Sequence, residues 1–95
     1  SPRAADTRRP TYCFALTAAA DPGLLPRVMQ QLARRNLVPS QWHSALGGPP
    51  GEELAIDIQL EGVGAAEAER LAGIFRQIVG VTWCGLSEKR FARRA

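Results

Sequence analysis

Eight residues in the second half of the chain, Leu54-Ala55-Ile56-Asp57-Ile58-Gln59-Leu60-Glu61, restrict the possible folds more than any other stretch. Leu54, Ile56, Ile58 and Leu60 recur on one side of a two-residue repeat, with Asp57, Gln59 and Glu61 on the other. Side chains alternate across a strand, so one face of this segment meets a core and the other meets water or a partner. Tyr12, Phe14 and Leu16 set up the same repeat over Tyr12–Ala18, with Cys13, Ala15 and Thr17 opposite. Val38–Leu46 reads as a further strand of open register, and Val81–Leu86 as the last.

Two segments change period. Leu25, Val28, Met29 and Leu32 recur at helical spacing, with Gln30, Gln31, Arg34 and Arg35 outside. Pro26 fixes where this helix starts, because a proline costs about 3 kcal/mol in a helix interior and little in the first turn. The start therefore falls near Gly23–Leu25, and Asn36 is a candidate left-handed terminator. Ala68, Leu71, Ala72, Phe75, Ile78 and Val79 form the second apolar stripe, from Gly64 to a stop at Gly80. Gly47-Gly48-Pro49-Pro50-Gly51 connects the two middle strands.

The order strand, helix, strand, strand, helix, strand predicts an α+β fold. With right-handed crossovers it becomes a ferredoxin-like βαββαβ sandwich, a four-stranded antiparallel sheet with both helices on one face. Strands one and three are expected in the centre. With 95 residues there is room for one domain and a small core, and an exposed edge beside strand two favours a homodimer.

The net charge of +3 is unevenly placed. Residues 1–11 read as a disordered basic leader and 87–95 as a basic tail, while the expected domain, 12–86, carries five arginines against seven acids. Nucleic-acid binding is disfavoured: a sheet that stacks bases needs aromatics on both central strands, and Leu54–Glu61 has none. No apolar run is long enough to cross a bilayer. Two cysteines make no disulfide framework, so a reduced, cytoplasmic setting is expected.

Chemistry has little to stand on. His43 is the single histidine, and Ser44 beside it points to the opposite face of a regular strand. Trp42 and His43 read as packing or interface residues, and Cys13 and Cys84 as small hydrophobes on neighbouring strands. No phosphate-binding loop or metal-ligand spacing occurs, so no catalytic residue, metal or cofactor is expected. The segment Asp21-Pro22-Gly23 has two readings. It is a turn and cap, or it opens a helix whose unpaired N–H groups hold a carboxylate.

Ala20-Asp21-Pro22-Gly23-Leu24-Leu25 resembles the [DN]-x-P-G-x-L loop of ACT domains, the small regulatory modules of amino-acid metabolism. Pro22–Leu37, with its PG-x-L-x-RV and ARR-N runs, is most similar to the regulatory small subunit of acetolactate (acetohydroxyacid) synthase. The resemblance covers Tyr12–Leu86 and implies a homodimer with amino-acid effector sites at the subunit seam. It also implies a partner, the catalytic large subunit of a biosynthetic enzyme. Carried over by position, Gly23, Leu24 and Leu25 would offer N–H groups to an effector carboxylate, with Ala20 and Asp21 beside them. Val38, Pro39 and Ser40 of the other subunit would line the opposite wall. Two positions depart from the pattern: Ala20 and Val38 stand where effector-binding members carry Asp or Asn. A missing charged hydrogen bond costs about 1.5–3 kcal/mol, so a weakened or silent pocket is expected.

Overall fold

In the computed structural model, which describes residues 10–49 and 51–89, β1 (Thr11–Ala19) and β3 (Glu53–Glu61) lie side by side at the centre of one sheet. β2 (Gln41–Gly47) flanks β3 and β4 (Val81–Lys89) flanks β1, giving the order β2-β3-β1-β4 with every pairing antiparallel. The two helices are α1 (Leu24–Arg34) and α2 (Ala65–Arg76). This is the ferredoxin-like βαββαβ sandwich that the order of periodicities predicts.

The strand repeats translate directly into layers. Phe14 and Leu16 of β1 pair with Ile58 and Ile56 of β3, and all four are buried. Leu24, Val28 and Leu32 of α1 and Ala68, Leu71, Ala72 and Phe75 of α2 close over them. Phe14 and Phe75 meet edge to face, with ring centroids 5.4 Å apart and planes at 85°, an arrangement that suits their quadrupoles.

The first helix ends as Asn36 predicts. Asn36 sits at φ 60°, the Asn36 N–H donates to the Ala33 carbonyl, and the Leu37 N–H donates to the Leu32 carbonyl. These two bonds are the Schellman pattern, which pairs carbonyls the last turn would otherwise leave open.

Four expectations need correction. Met29 is not in the core but 47% exposed, because the buried stripe runs along Leu24, Val28 and Leu32 and leaves Met29 on its flank. The second helix stops at Arg76, not at Gly80; the chain leaves it through turn bonds from Gln77, Ile78 and Val81 and enters β4 across Gly80 at φ 103°. Ile78 still packs against the core, whereas Val79 is 79% exposed. The second strand begins at Gln41, since Pro39 has no N–H to give a ladder, and pairing opens where the Ser40 N–H donates to the Gln59 carbonyl. Finally, β4 runs through Ser87, Glu88 and Lys89, so these residues belong to the sheet and not to a tail. The same expectation fails at the other end, where Thr11 opens β1 and pairs with Glu61 and Lys89 instead of belonging to a leader; residues 1–9 and 90–95 lie outside the described residues.

Candidate functional site

The loop from Ala20 to Gly23 enters α1 at one end of the sheet. It is held from three sides: Ala19 N–H donates to the Gly80 carbonyl, Ala20 N–H to the Glu52 carbonyl, and Arg27 reaches across to the Val79 carbonyl at 3.1 Å. The turn after α2 and the hairpin before β3 therefore frame the helix start.

The donors at this helix start are largely spent within the chain. The Gly23 N–H donates to Asp21 Oδ1 at 3.2 Å, and the Leu24 N–H donates to the Asp21 main-chain carbonyl at 2.9 Å. Pro26 has no N–H, and the Arg27 N–H donates to the Gly23 carbonyl. Leu25 keeps the one N–H of this first turn without an acceptor among the described residues. Asp21 Oδ2 pairs with Arg27 at 3.2 Å, and that guanidinium lies so close over Gly23 that a Cβ there would stand 3.2 Å from it. A side-chain carboxylate thus already occupies the place where an effector carboxylate is expected. Both partners of the pair are nearly half exposed, so it fixes geometry more than it adds stability.

Val38, Pro39 and Ser40 stand elsewhere. They follow α1, whose eleven residues span about 16 Å at 1.5 Å per residue, and so lie at its far end from Ala20–Leu25. Within one chain the two halves of the expected pocket are not brought together. Leu24 itself is fully buried and serves the core.

Two cavities flank these halves. The first, about 470 Å3, lies beside the loop and is lined by Ala18, Ala19, Gly48, Pro49, Glu52, Glu53 and Thr82. Its carboxylates come from the hairpin, a long-range neighbour that no local pattern around Pro22-Gly23 reveals. The second, about 280 Å3, is an apolar groove formed by Met29, Leu32, Ala33, Leu37, Val38, Pro39 and Trp42. Val38, 86% exposed, stands at its rim.

The two sheet edges differ. On β4, the Arg76 Nε and guanidinium both donate to the Cys84 carbonyl, at 3.2 and 3.1 Å. On β2, no described side chain bonds the outward backbone groups, and the apolar groove adjoins this open edge. Burial pushes the Cys84 thiol above its ordinary range, with Arg76 pulling the other way more weakly. Cys13 and Cys84 both remain free thiols; Cys13 pairs with Ser87 and Cys84 with Leu16, on opposite faces of the sheet. Among the described residues no three His, Cys, Asp or Glu side chains converge as a metal site. No helix there is long and apolar enough to cross a membrane.

No protein-family model matches the sequence, and no curated protein is similar to it. Solved structures are similar in shape. The ACT domain of GTP pyrophosphokinase from Chlorobium tepidum superposes with TM-score 0.70 at 6% identity, over 83% of this chain and 99% of that one. The C-terminal domain of MgtC from Mycobacterium tuberculosis gives TM-score 0.67 at 13% identity, over 92% and 95%. The regulatory subunit of aspartate kinase from Thermus flavus gives TM-score 0.62 at 20% identity, over 82% of this chain and 51% of that one. The fold is ACT-like. At these identities the likeness concerns the fold alone.

Proposed function

We propose that this ACT-like chain is a non-catalytic regulatory module. It acts as a homodimer joined through β2, and it docks on and activates a catalytic chain of branched-chain amino-acid biosynthesis, of the acetolactate synthase type. The observation that carries the dimer is the contrast between the sheet edges: Arg76 caps the Cys84 carbonyl of β4, whereas β2 is left without such a contact beside an apolar groove. Open edges add strands, and covering the groove removes Val38 and Met29 from water.

Topology supports the choice of β2. β2 runs in the same direction as β1, because both are antiparallel to β3, whereas α1 returns the other way between them. A two-fold axis pairing β2 with its copy antiparallel reverses the partner's strand. The partner's Val38, Pro39 and Ser40 then come to the end of the sheet where Ala20, Asp21, Gly23 and Leu25 lie. The halves that one chain keeps about 16 Å apart are joined by the second.

In this reading the effector pocket is weak, for a reason beyond Ala20 and Val38: Asp21 already uses the Gly23 N–H. Isothermal titration with valine, leucine and isoleucine tests it. The wild-type chain gives no micromolar binding, and Asp21→Ala, which frees that N–H and removes a negative charge, binds about tenfold more tightly. Micromolar binding by the wild type refutes the silent pocket. Co-purification with a thiamine-diphosphate synthase subunit from native lysate tests the docking half.

One observation favours a second reading, a free-standing amino-acid sensor. Glu52 and Glu53 line the cavity beside the loop and offer acceptors for an α-ammonium group that Ala20 and Val38 do not. Ligand-dependent melting of the purified chain, without any synthase, supports that alternative.

A further inference from the structure

The helices cover one face of the sheet and leave the other bare among the described residues. Trp83 lies on this bare face, 57% exposed, directly across from Thr17. Its six-membered ring spreads over Gly85, where an added Cβ would stand 2.5 Å from the indole. Glycine at this position is what leaves room for the ring. Beyond the ring the floor is low: Ala15 pairs with Gly85, and Ala55 pairs with both Thr17 and Ala45.

Behind that floor stands a row of acids. Glu53, Asp57 and Glu61 share the bare face of β3, four residues apart, or about 14 Å between neighbours at the usual rise. Asp57 is two strands from Gly85, about 10 Å away. Lys89, across Thr11 from Glu61, is the one lysine or arginine of the described strands on this face, so three acids outweigh it here while the chain as a whole carries +3. An exposed tryptophan over a shallow, small-residue floor has the make-up of an interface anchor.

We propose that the bare sheet face is a docking surface for a cationic segment of a partner protein. Its arginine or lysine side chains pair with Glu53, Asp57 and Glu61, and one guanidinium or apolar side chain stacks on Trp83. Arginine fits both halves, since a planar guanidinium stacks on an indole and bridges carboxylates. Phosphate backbones fit neither, because the acids repel them. This deepens the docking half of the function proposed above and rests on it; the dimer seam uses other residues, and of the acids on this face only Glu53 also lines the cavity beside the loop.

The test uses the 95-residue chain and three probes at low salt, read by amide and indole N–H chemical shifts: an alternating Arg-Ala dodecapeptide, its Glu-Ala counterpart, and a twelve-nucleotide oligothymidine. The Arg-Ala peptide shifts the Trp83 indole N–H and the Ala15 and Asp57 amides; the other two leave them in place. Combined Glu53→Gln, Asp57→Asn and Glu61→Gln substitutions weaken binding by about tenfold, and Trp83→Ala, with the acids intact, by about fivefold. All four positions are exposed, so an unchanged spectrum elsewhere certifies the fold. Shifts confined to another surface, equal binding by Trp83→Ala, or perturbation of this face by oligothymidine overturns the proposal. The titration needs no synthase and is indifferent to dimerisation. Loss of the peptide with synthase capture intact therefore fails the face alone, and absence of capture with peptide binding intact fails the broader reading.

Discussion

Asp21 shows how a single side chain decides between two uses of one backbone feature. A helix start with free N–H groups attracts any carboxylate, and the nearest one belongs to the loop itself. Arg27 then holds that carboxylate in place while its other nitrogen bonds the Val79 carbonyl. Cys84 makes a different point. Its thiol is pushed up by burial, so the unfolded chain releases the proton at a lower pH than the folded one. Stability from this group is complete below the ordinary thiol range, near pH 8.5, and declines as pH rises from there through the folded value. Urea midpoints measured from pH 7 to 10 should fall for the wild type more steeply than for Cys84→Ala. Equal slopes would remove the thiol from the account. Which residues lie in the core was legible in the sequence wherever a period of two or 3.6 repeated several times, as at Phe14, Leu16, Ile56 and Ile58. Met29 was misread because a helical stripe fixes a direction only to within a residue, and what faces α1 on its flank is set by β2.

Elements end where local bonds can close them. Asn36 takes a left-handed conformation that a β-branched residue adopts only at a cost of about 1–2 kcal/mol. Asn36→Val should therefore lower stability by that amount, and Asn36→Gly should match or exceed the wild type, as read by denaturant midpoints. The stop of α2 was less legible. Ile78 and Val79 continue the apolar pattern in sequence, yet the chain needs four residues to turn into β4 and spends the pattern on a turn. At β2 the open register of Val38–Leu46 was resolved by Pro39, which keeps Val38 off the ladder and leaves it on the rim of the groove. If that groove closes a dimer, Val38→Asp buries a charge in the seam and should raise the dimer dissociation constant by about tenfold or more, while the exposed site leaves the monomer's stability unchanged. Analytical ultracentrifugation of the two proteins across concentration gives the comparison.

At the scale of the molecule, the fold class was legible because six alternating periods allow few topologies, and the central places of β1 and β3 follow from the crossovers. The candidate site was legible only in halves. Ala20–Leu25 and Val38–Ser40 each stand out as local patterns, but their separation along α1 and the nearness of Glu52 to Ala20 depend on the tertiary arrangement. The wild-type chain should sediment near twice its 10.3 kDa at micromolar concentration, and a monomer throughout that range would remove the seam and the pocket with it.

Thr11 and Lys89 face each other across the β1–β4 ladder, at the end of the sheet away from the Ala20–Gly23 loop. Whatever is attached before the first strand and after the last thus leaves from adjacent points, a few ångströms apart. A host protein could accept this unit in a surface loop with its own backbone barely parted, and a tandem duplication would need a linker no longer than the sheet.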